Sequence, residues 1–307
     1  MKERLSVLVS SPSLEHGQVL GALALDGQTG DQIFQGVMSL LLDFGVAERI
    51  IGMSFDTTAS NTGVRQGACA RLETHLKKAL LWLACRRHVL ELHIKHVAQV
   101  AAETISDRRQ TGPTHTVFKR MQDRWPELVL IIDMDNLHKI NWNNFKGTEI
   151  EDQAEKALAI LSKFLKEKTF EREDYKELCE LAVLFLGGAV PNFRFQYPGA
   201  HHHARYMASS IYRVKMALLV NKITWLDNKE KKEVSSMAEF ICIFYVVWWL
   251  QGYIRVKAPM NDLKAINQMR MYRKFKKVVA EACLDSWKRH TWYLTEELVI
   301  LCLPIRG

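Results

Sequence analysis

The sequence lacks the patterns that mark several common classes of protein. Its six cysteines include no C-x-x-C pair, so neither a disulfide framework nor a zinc ribbon is indicated, and we expect a reducing intracellular compartment, nuclear or cytoplasmic. The opening apolar stretch LSVLV is too short for the core of a signal peptide. The most apolar run, residues 241–250, is well below the roughly 20 residues that span a bilayer. We interpret this run as a core helix, with an interfacial segment as the alternative, and expect no membrane partner.

The sequence does contain enough apolar residues for a sizeable core, together with a surplus of positive charge. Of its 307 residues, 48% are hydrophobic, which suits one large domain or two entangled ones. Lysine and arginine number 42 against 34 acidic residues, so the formal net charge is +8. This charge is compatible with a polyanionic partner such as nucleic acid, but it does not require one.

The organisation of the chain changes near residue 110. Upstream of it, short apolar runs alternate with helical patterns, and the predicted order is strand, strand, helix, strand, helix, strand, helix. These segments are RLSVLVS, QVLGALAL, DQIFQGVMSLLLDFG, RIIGMSFD, GACARLETHLKK, ALLWLAC and RRHVLELHIKHVAQVAAE. From about Pro113 onward no strand alternation is found and helical stripes are common, as in EDQAEKALAILSKFLKEK. The sequence therefore predicts an α/β region followed by a mostly helical one.

Asp56 ends an apolar strand and is followed by small polar residues, in the stretch GMSFDTTASNTG. A buried carboxylate at this place needs hydrogen bonds, a cation or a metal to compensate it. If the strands that end at Asp56 and Cys85 are parallel neighbours, their carboxyl ends open on one edge, where open α/β sheets bind ligands, and His88 lies nearby. The alternative for Asp56 is a loop-capping carboxylate bonded to the N–H of Thr58 or Ala59. Cys85 and His88 are too few to specify zinc, and they are alternatively a buried small residue and a helix-start imidazole.

Four segments in order carry a resemblance to a known family. They are FDTTASN, LLWLACRRH with its C-x-x-H, HHHARYMASSIYRVKMALL and HTWYLTEELV. Together they resemble the hAT-like group of transposon-derived proteins, over almost the whole chain. The resemblance implies a ribonuclease H-like mixed sheet with a large all-α insertion. It implies domains at 1–110 for the core without its first strand, 111–285 for the helical insertion, and 286–307 for a C-terminal helix that returns to the core.

The resemblance also implies roles for particular residues. Asp56, in a turn that contains Asn61, matches the second metal-binding carboxylate of a two-metal, three-carboxylate transposase, and Glu297 or Glu296 is a candidate for the late catalytic glutamate. Mg²⁺ or Mn²⁺ would suit such oxygen ligands, and two ions held together would activate the attacking hydroxyl and stabilise the leaving oxygen. Asn61, Cys85 and His88 would shape the site. For the late glutamates, the alternative is charge placed in the first turn of a helix.

The departures from the family pattern argue against catalysis. No strand with the family's first catalytic aspartate precedes RLSVLVS, and neither Asp26 nor Asp31 matches that position. The family's amino-terminal DNA-binding zinc finger has no counterpart here either. We therefore expect no active enzyme from this sequence and no bound metal. An upstream exon that carries the missing aspartate would reverse this expectation.

Two basic groups are candidates for nucleic-acid binding. On a continuous helix, four cations of LKAINQMRMYRKFKKVV would share one stripe with no acidic residue among them, which suits a track for phosphates. These residues are Arg270, Arg273, Lys274 and Lys277. A second group is expected beside Asp56 and the supposed site, and it consists of Lys77, Lys78, Arg86 and Arg87. For the stripe, the alternative is a solvated face opposite Tyr272, Phe275 and Val279.

Three functions follow as hypotheses. The first is a transposase-derived ribonuclease H-like protein without catalytic activity that binds DNA weakly and without sequence preference. The second is an interaction or scaffold domain with protein partners. The third is a metal-dependent DNA transposase or nuclease whose first aspartate lies upstream. Binding of DNA that depends on salt would separate the first hypothesis from the second.

Overall fold

A computed structural model describes residues 4–101, 116–130, 132–167, 170–197, 206–252 and 255–291. The chain is mixed α/β and mostly helical. The described residues divide into two compact units. The first, the sheet-bearing unit, comprises residues 4–89, 255–259 and 290–291, and the second, the helical unit, comprises all the other described residues between 90 and 289. The predicted domain bounds stay predictions, because residues 102–115 and 292–307 lie outside the described part of the chain.

The strands of the first unit form two separate pairs. Strands β1 (Arg4–Val9) and β2 (Gln18–Ala24) are antiparallel, with a register shift between Val7 and Leu8. Strands β3 (Gly52–Phe55) and β4 (Leu81–Ala84) are parallel. The four predicted strands are therefore confirmed. The predicted single mixed sheet is not observed among the described residues, because β1–β2 and β3–β4 share no ladder of hydrogen bonds.

Helix α1 (Gly30–Asp43) connects the two pairs and begins and ends as its sequence predicts. The hydroxyl oxygen of Thr29 accepts from the backbone N–H of Gln32, and the side-chain oxygen of Gln32 accepts from the backbone N–H of Thr29. Each of these two N–H groups, which have no partner within the helix, therefore makes a hydrogen bond. Gly45 follows the helix with φ +61°, the left-handed conformation that glycine adopts without strain. Apolar side chains of α1 pack with Leu20 and Leu72 in the core of this unit.

The remaining helices include the predicted α3, α4 and α7. They are α2 (Ala59–Thr62), α3 (Ala68–Leu76), α4 (Arg86–Ala101), α5 (Thr116–Asp123), α6 (Trp125–Leu130), α7 (Glu149–Glu167), α8 (Glu173–Phe185), α9 (Tyr206–Leu218), α10 (Asn228–Phe240), α11 (Val246–Gln251), α12 (Ala258–Tyr272) and α13 (Lys277–His290). The predicted stripes of α3 and α7 point inward, since Leu72, Leu76, Ala154 and Leu161 are buried. No strand occurs from residue 116 onward in the described ranges, as the sequence predicts.

The most apolar run lies inside the helical unit. Helices α10 and α11 are joined by one π-helical turn, Ile241–Tyr245, and every side chain of that turn is buried. Residues Asn228–Gln251 are the one helical stretch, in the described part of the chain, that is long and apolar enough to cross a membrane by length and composition alone. Since 72% of its apolar window is buried against other elements, the interpretation as a core helix is confirmed.

Candidate functional site at the ends of strands β3 and β4

Strands β3 and β4 are adjacent and parallel, as predicted. Phe55 is paired with Ala84, and the N–H of Cys85 donates to the carbonyl oxygen of Phe55 at 2.8 Å. Asp56 and Cys85 therefore follow the last residues of two neighbouring strands, and both lie at the carboxyl edge of the pair. This is the edge at which α/β sheets bind ligands.

Asp56 is held by a compact turn. Its Oδ1 atom accepts hydrogen bonds from the Thr58 N–H at 3.0 Å, the Thr58 hydroxyl at 2.7 Å and the Asn61 side-chain amide at 2.8 Å. The capping role that the sequence offered as an alternative is thus observed, with Thr58 as the partner. The expectation of a buried carboxylate is wrong, because Asp56 is exposed and its ionised form is stabilised by local donors and by water.

The groups around Asp56 change the pKa of its carboxyl group. Partial burial by itself raises the pKa of this carboxyl, but the bonds from Thr58 and Asn61 and the nearby His88 lower it, and the resulting pKa lies below its ordinary value. Cys69, in α3, also lies near enough to interact with Asp56. Burial, with smaller contributions from Glu73 and Asp56, raises the pKa of the Cys69 thiol to about 12, so this thiol is neutral at physiological pH.

Asp56 retains one free oxygen. Among the described residues, no hydrogen bond reaches its Oδ2 atom, which is therefore available to solvent or a ligand. The described part of the chain contains no group of three or more His, Cys, Asp or Glu side chains placed to hold a metal ion. Asp31 does not contribute, because it is paired with Arg71 at 2.9 Å. Glu296 and Glu297 lie outside the described residues, so their predicted role stays a prediction.

Helix α4 begins at this same edge. Its first turn contains Arg86, Arg87 and His88, and its first helical bond runs from the Val89 N–H to the Cys85 carbonyl oxygen at 3.1 Å. Arg86 is only 5% exposed, whereas Arg87 and His88 are partly exposed. The structure therefore brings Asp56, Asn61, Cys85 and His88 together, and it places the start of the basic pair beside them.

The other half of that basic group lies elsewhere. Lys77 and Lys78 follow α3 and precede β4, so they are at the amino end of the strand, opposite the edge that carries Asp56. Lys77 adopts a left-handed conformation with φ 52° and is exposed, and Lys78 Nζ donates to the Glu48 carbonyl oxygen at 2.6 Å. The expectation that all four cations lie beside Asp56 is wrong for these two, because a parallel strand separates its two ends.

The predicted basic stripe is interrupted. Helix α12 ends at Tyr272 and α13 begins at Lys277, so the four cations do not share one continuous helix. All four are exposed, but Arg273 pairs with Glu281 at 2.8 Å and Lys274 pairs with Glu149 at 3.4 Å. The expectation of one helical stripe is wrong, because the helix ends at Tyr272, and the acidic partners of Arg273 and Lys274 come from α13 and α7.

Sequence patterns did not single out Cys69, Val64 or Arg65. Cys69 is an inward position of α3, and only its place in the fold brings it towards the carboxylate. Val64 and Arg65 follow α2 in the same loop, and both are exposed. In the sequence, the signal for this loop is its pair of flanking glycines, Gly63 and Gly67.

Comparisons of the chain with protein-family models, with curated proteins and with solved structures give no match. The functional interpretation therefore depends on the residues themselves.

Proposed function

We propose that this protein is a transposase-derived, ribonuclease H-like protein that binds DNA without sequence preference and does not cleave it. The observation that carries the proposal is the parallel pair β3–β4, which brings Asp56 and the first turn of α4 to one edge. A strand-end aspartate with an asparagine turn and a C-x-x-H segment on the next strand is the arrangement that the family resemblance implies.

The lack of cleavage follows from the ligands that two-metal chemistry needs. Two divalent ions about 4 Å apart must be held by several carboxylates, because each ion carries two positive charges. In the described part of the chain Asp56 belongs to no group of three or more His, Cys, Asp or Glu side chains that could hold a metal ion, and its Oδ1 atom already accepts three hydrogen bonds. Mg²⁺ or Mn²⁺, the ions suited to such oxygens, would find one free carboxylate oxygen there.

Binding of DNA is supported by charge and by its placement. The chain carries a net charge of +8, and Arg87 is partly exposed in the first turn of α4 at the Asp56 edge. Cations that neutralise phosphates release counterions, which gives affinity without reading the base sequence. A DNA-binding role would place the protein in the nucleus, and a tagged chain found only in the cytoplasm would contradict that location.

Duplex binding across ionic strength tests the proposal. Short fluorescent duplexes of unrelated sequence should bind with dissociation constants of roughly 10⁻⁴ to 10⁻⁶ M near physiological salt, and the affinity should fall linearly on a log-log plot as salt rises. Equal affinity for the unrelated duplexes is expected. Absence of binding at low salt would overturn the proposal and would favour a protein-binding scaffold.

A nicking assay tests the second half of the proposal. Supercoiled plasmid incubated with the protein and Mg²⁺ or Mn²⁺ should remain intact, because the proposal gives the protein no complete set of metal-binding carboxylates. The matched variant is Asp56→Asn, which keeps an oxygen acceptor for Thr58 and Asn61 but removes the charge. Nicking that requires metal and disappears in this variant would show that the protein is an active nuclease.

A further inference from the structure

The loop between α2 and α3 contains a turn that is closed by its own backbone. The N–H of Gly67 donates to the carbonyl oxygen of Gly63 at 2.8 Å. A Cβ atom on Gly67 would lie 2.5 Å from the Gly63 nitrogen and 2.6 Å from the Asn61 carbonyl oxygen, so only glycine fits there. The Arg71 guanidinium braces the end of the turn by donating to the Gln66 carbonyl oxygen at 3.2 Å.

This turn presents three exposed side chains, Val64, Arg65 and Gln66, which we call the loop tip. Val64 is 71% exposed. Arg65 makes no hydrogen bond and no ion pair with any residue in the described part of the chain. The loop tip therefore offers an unpaired guanidinium and an apolar surface on a backbone that is already ordered.

The loop tip belongs to the same edge as the candidate site. It continues directly from α2, whose Asn61 side chain donates to the Asp56 carboxylate. By contrast, exposed Lys77 is at the opposite end of β4. An unpaired arginine is well suited to phosphate, because its planar fork forms two parallel hydrogen bonds to neighbouring oxygens. Binding through an ordered turn also costs less conformational entropy than ordering a flexible one.

From this geometry we infer that the loop tip is a contact for duplex DNA, in which Arg65 binds a backbone phosphate and Val64 packs against the adjacent sugar. The inference rests on the proposed function and names the part of the surface that carries it. Contacts to phosphate and sugar position a protein on the duplex without reading its base sequence. Gln66 lies at the rim of the same contact.

Two single variants separate the contributions of charge and apolar contact. Arg65→Gln should weaken binding several-fold at about 0.1 M salt and reduce the log-log salt slope by about one, because one phosphate contact is lost. Val64→Ala removes the two methyl groups that would pack on the sugar, so it should weaken binding while the slope stays unchanged. The matched control is Lys77→Gln, which removes one exposed charge at the opposite end of β4 and should leave the slope unchanged.

The outcomes distinguish the two proposals. If the parent chain binds no duplex, the proposed function fails and the loop-tip inference fails with it. If the parent binds and Arg65→Gln behaves like Lys77→Gln, the loop-tip inference alone is overturned. Both substituted side chains are exposed, so thermal unfolding by circular dichroism should coincide for all variants, and it verifies that a loss of binding is not a loss of fold.

Discussion

The helical unit and the sheet-bearing unit differ in how their residues are held. In the helical unit the π-helical turn is wholly buried, and the rings of Phe240 and Trp248 meet edge to face with centroids 5.9 Å apart. In the sheet-bearing unit β3 and β4 have four residues each, and the loop after β3 is held by local hydrogen bonds and close backbone packing. Pairs of strands are marginal by themselves. The geometry of the candidate site therefore depends more on local hydrogen bonds and close backbone packing than on buried apolar area.

The largest effect is expected from a buried ion pair in the helical unit. Lys215 is 1% exposed, and its Nζ lies 2.5 Å from Glu177 Oε1 and 2.9 Å from the Gln196 carbonyl oxygen. Burial lowers the pKa of Lys215, and Glu177 opposes this shift. Glu177→Ala should cost about 3–5 kcal/mol of unfolding free energy in urea titrations, because it leaves a buried charge without its partner.

The matched control replaces both members of the pair. Glu177→Leu combined with Lys215→Met removes the charges and keeps apolar volume, so it should be far less destabilising than the single change. A cost below about 1 kcal/mol for Glu177→Ala would mean that water reaches Lys215. The two units would then differ less in how far water is excluded from their charged side chains.

A smaller effect is expected from backbone packing in the sheet-bearing unit. A Cβ atom on Gly30 would lie 2.1 Å from the Gln66 carbonyl oxygen and 2.8 Å from the Ser60 carbonyl oxygen. Gly30→Ala should therefore destabilise this unit by about 1–3 kcal/mol, because backbone atoms must move to admit the methyl group. Gly17→Ala is the control, since its Cβ would meet only the Val9 carbonyl oxygen at 3.6 Å. Equal unfolding midpoints for both variants would refute close packing at Gly30.

The interrupted basic stripe allows a comparison of paired and unpaired cations. Arg273 and Lys274 have carboxylate partners, whereas Arg270 bonds only to the neutral Asn267, and Lys277 has no hydrogen bond or ion pair within the described ranges. If this surface contacts DNA, Arg270→Gln with Lys277→Gln should reduce the salt slope by about two. Arg273→Gln with Lys274→Gln should reduce it less, because Glu281 and Glu149 already neutralise part of that charge. No change in either double variant would mean that the stripe is a solvated face.

The smallest effect concerns the protonation of Asp56. Its pKa in the folded protein lies below the ordinary value of 3.8, so the ionised carboxylate stabilises the fold above that pH. This contribution is lost as the pH falls through the folded pKa, and it is small because Asp56 is exposed. Urea titrations should show that the parent loses more stability than Asp56→Asn as the pH falls below about 4. If the unfolding free energies of the two proteins change equally with pH, the hydrogen bonds from Thr58 and Asn61 do not lower the pKa of Asp56.

Much of the fold could be predicted because its signals are local. Apolar runs bounded by polar residues predicted β3 and β4, and the residues that follow them predicted the edge at which Asp56 and Cys85 lie. The two ends of α1 depend on local chemistry, since the Thr29–Gln32 capping box closes one end and the left-handed Gly45 follows the other. The break between α12 and α13 could not be predicted in this way, since Phe275 and the cations around it continue a helical pattern.

The sequence by itself determined the type and order of the elements and the apolar faces that they bury, because these depend on spacings of two to four residues. Only the tertiary structure decided that Asp56 is exposed, that Arg273 and Lys274 have acidic partners, and that Lys215 is buried against Glu177. These outcomes depend on which distant residues meet, and the free energy of each charge depends on those neighbours and on its access to water.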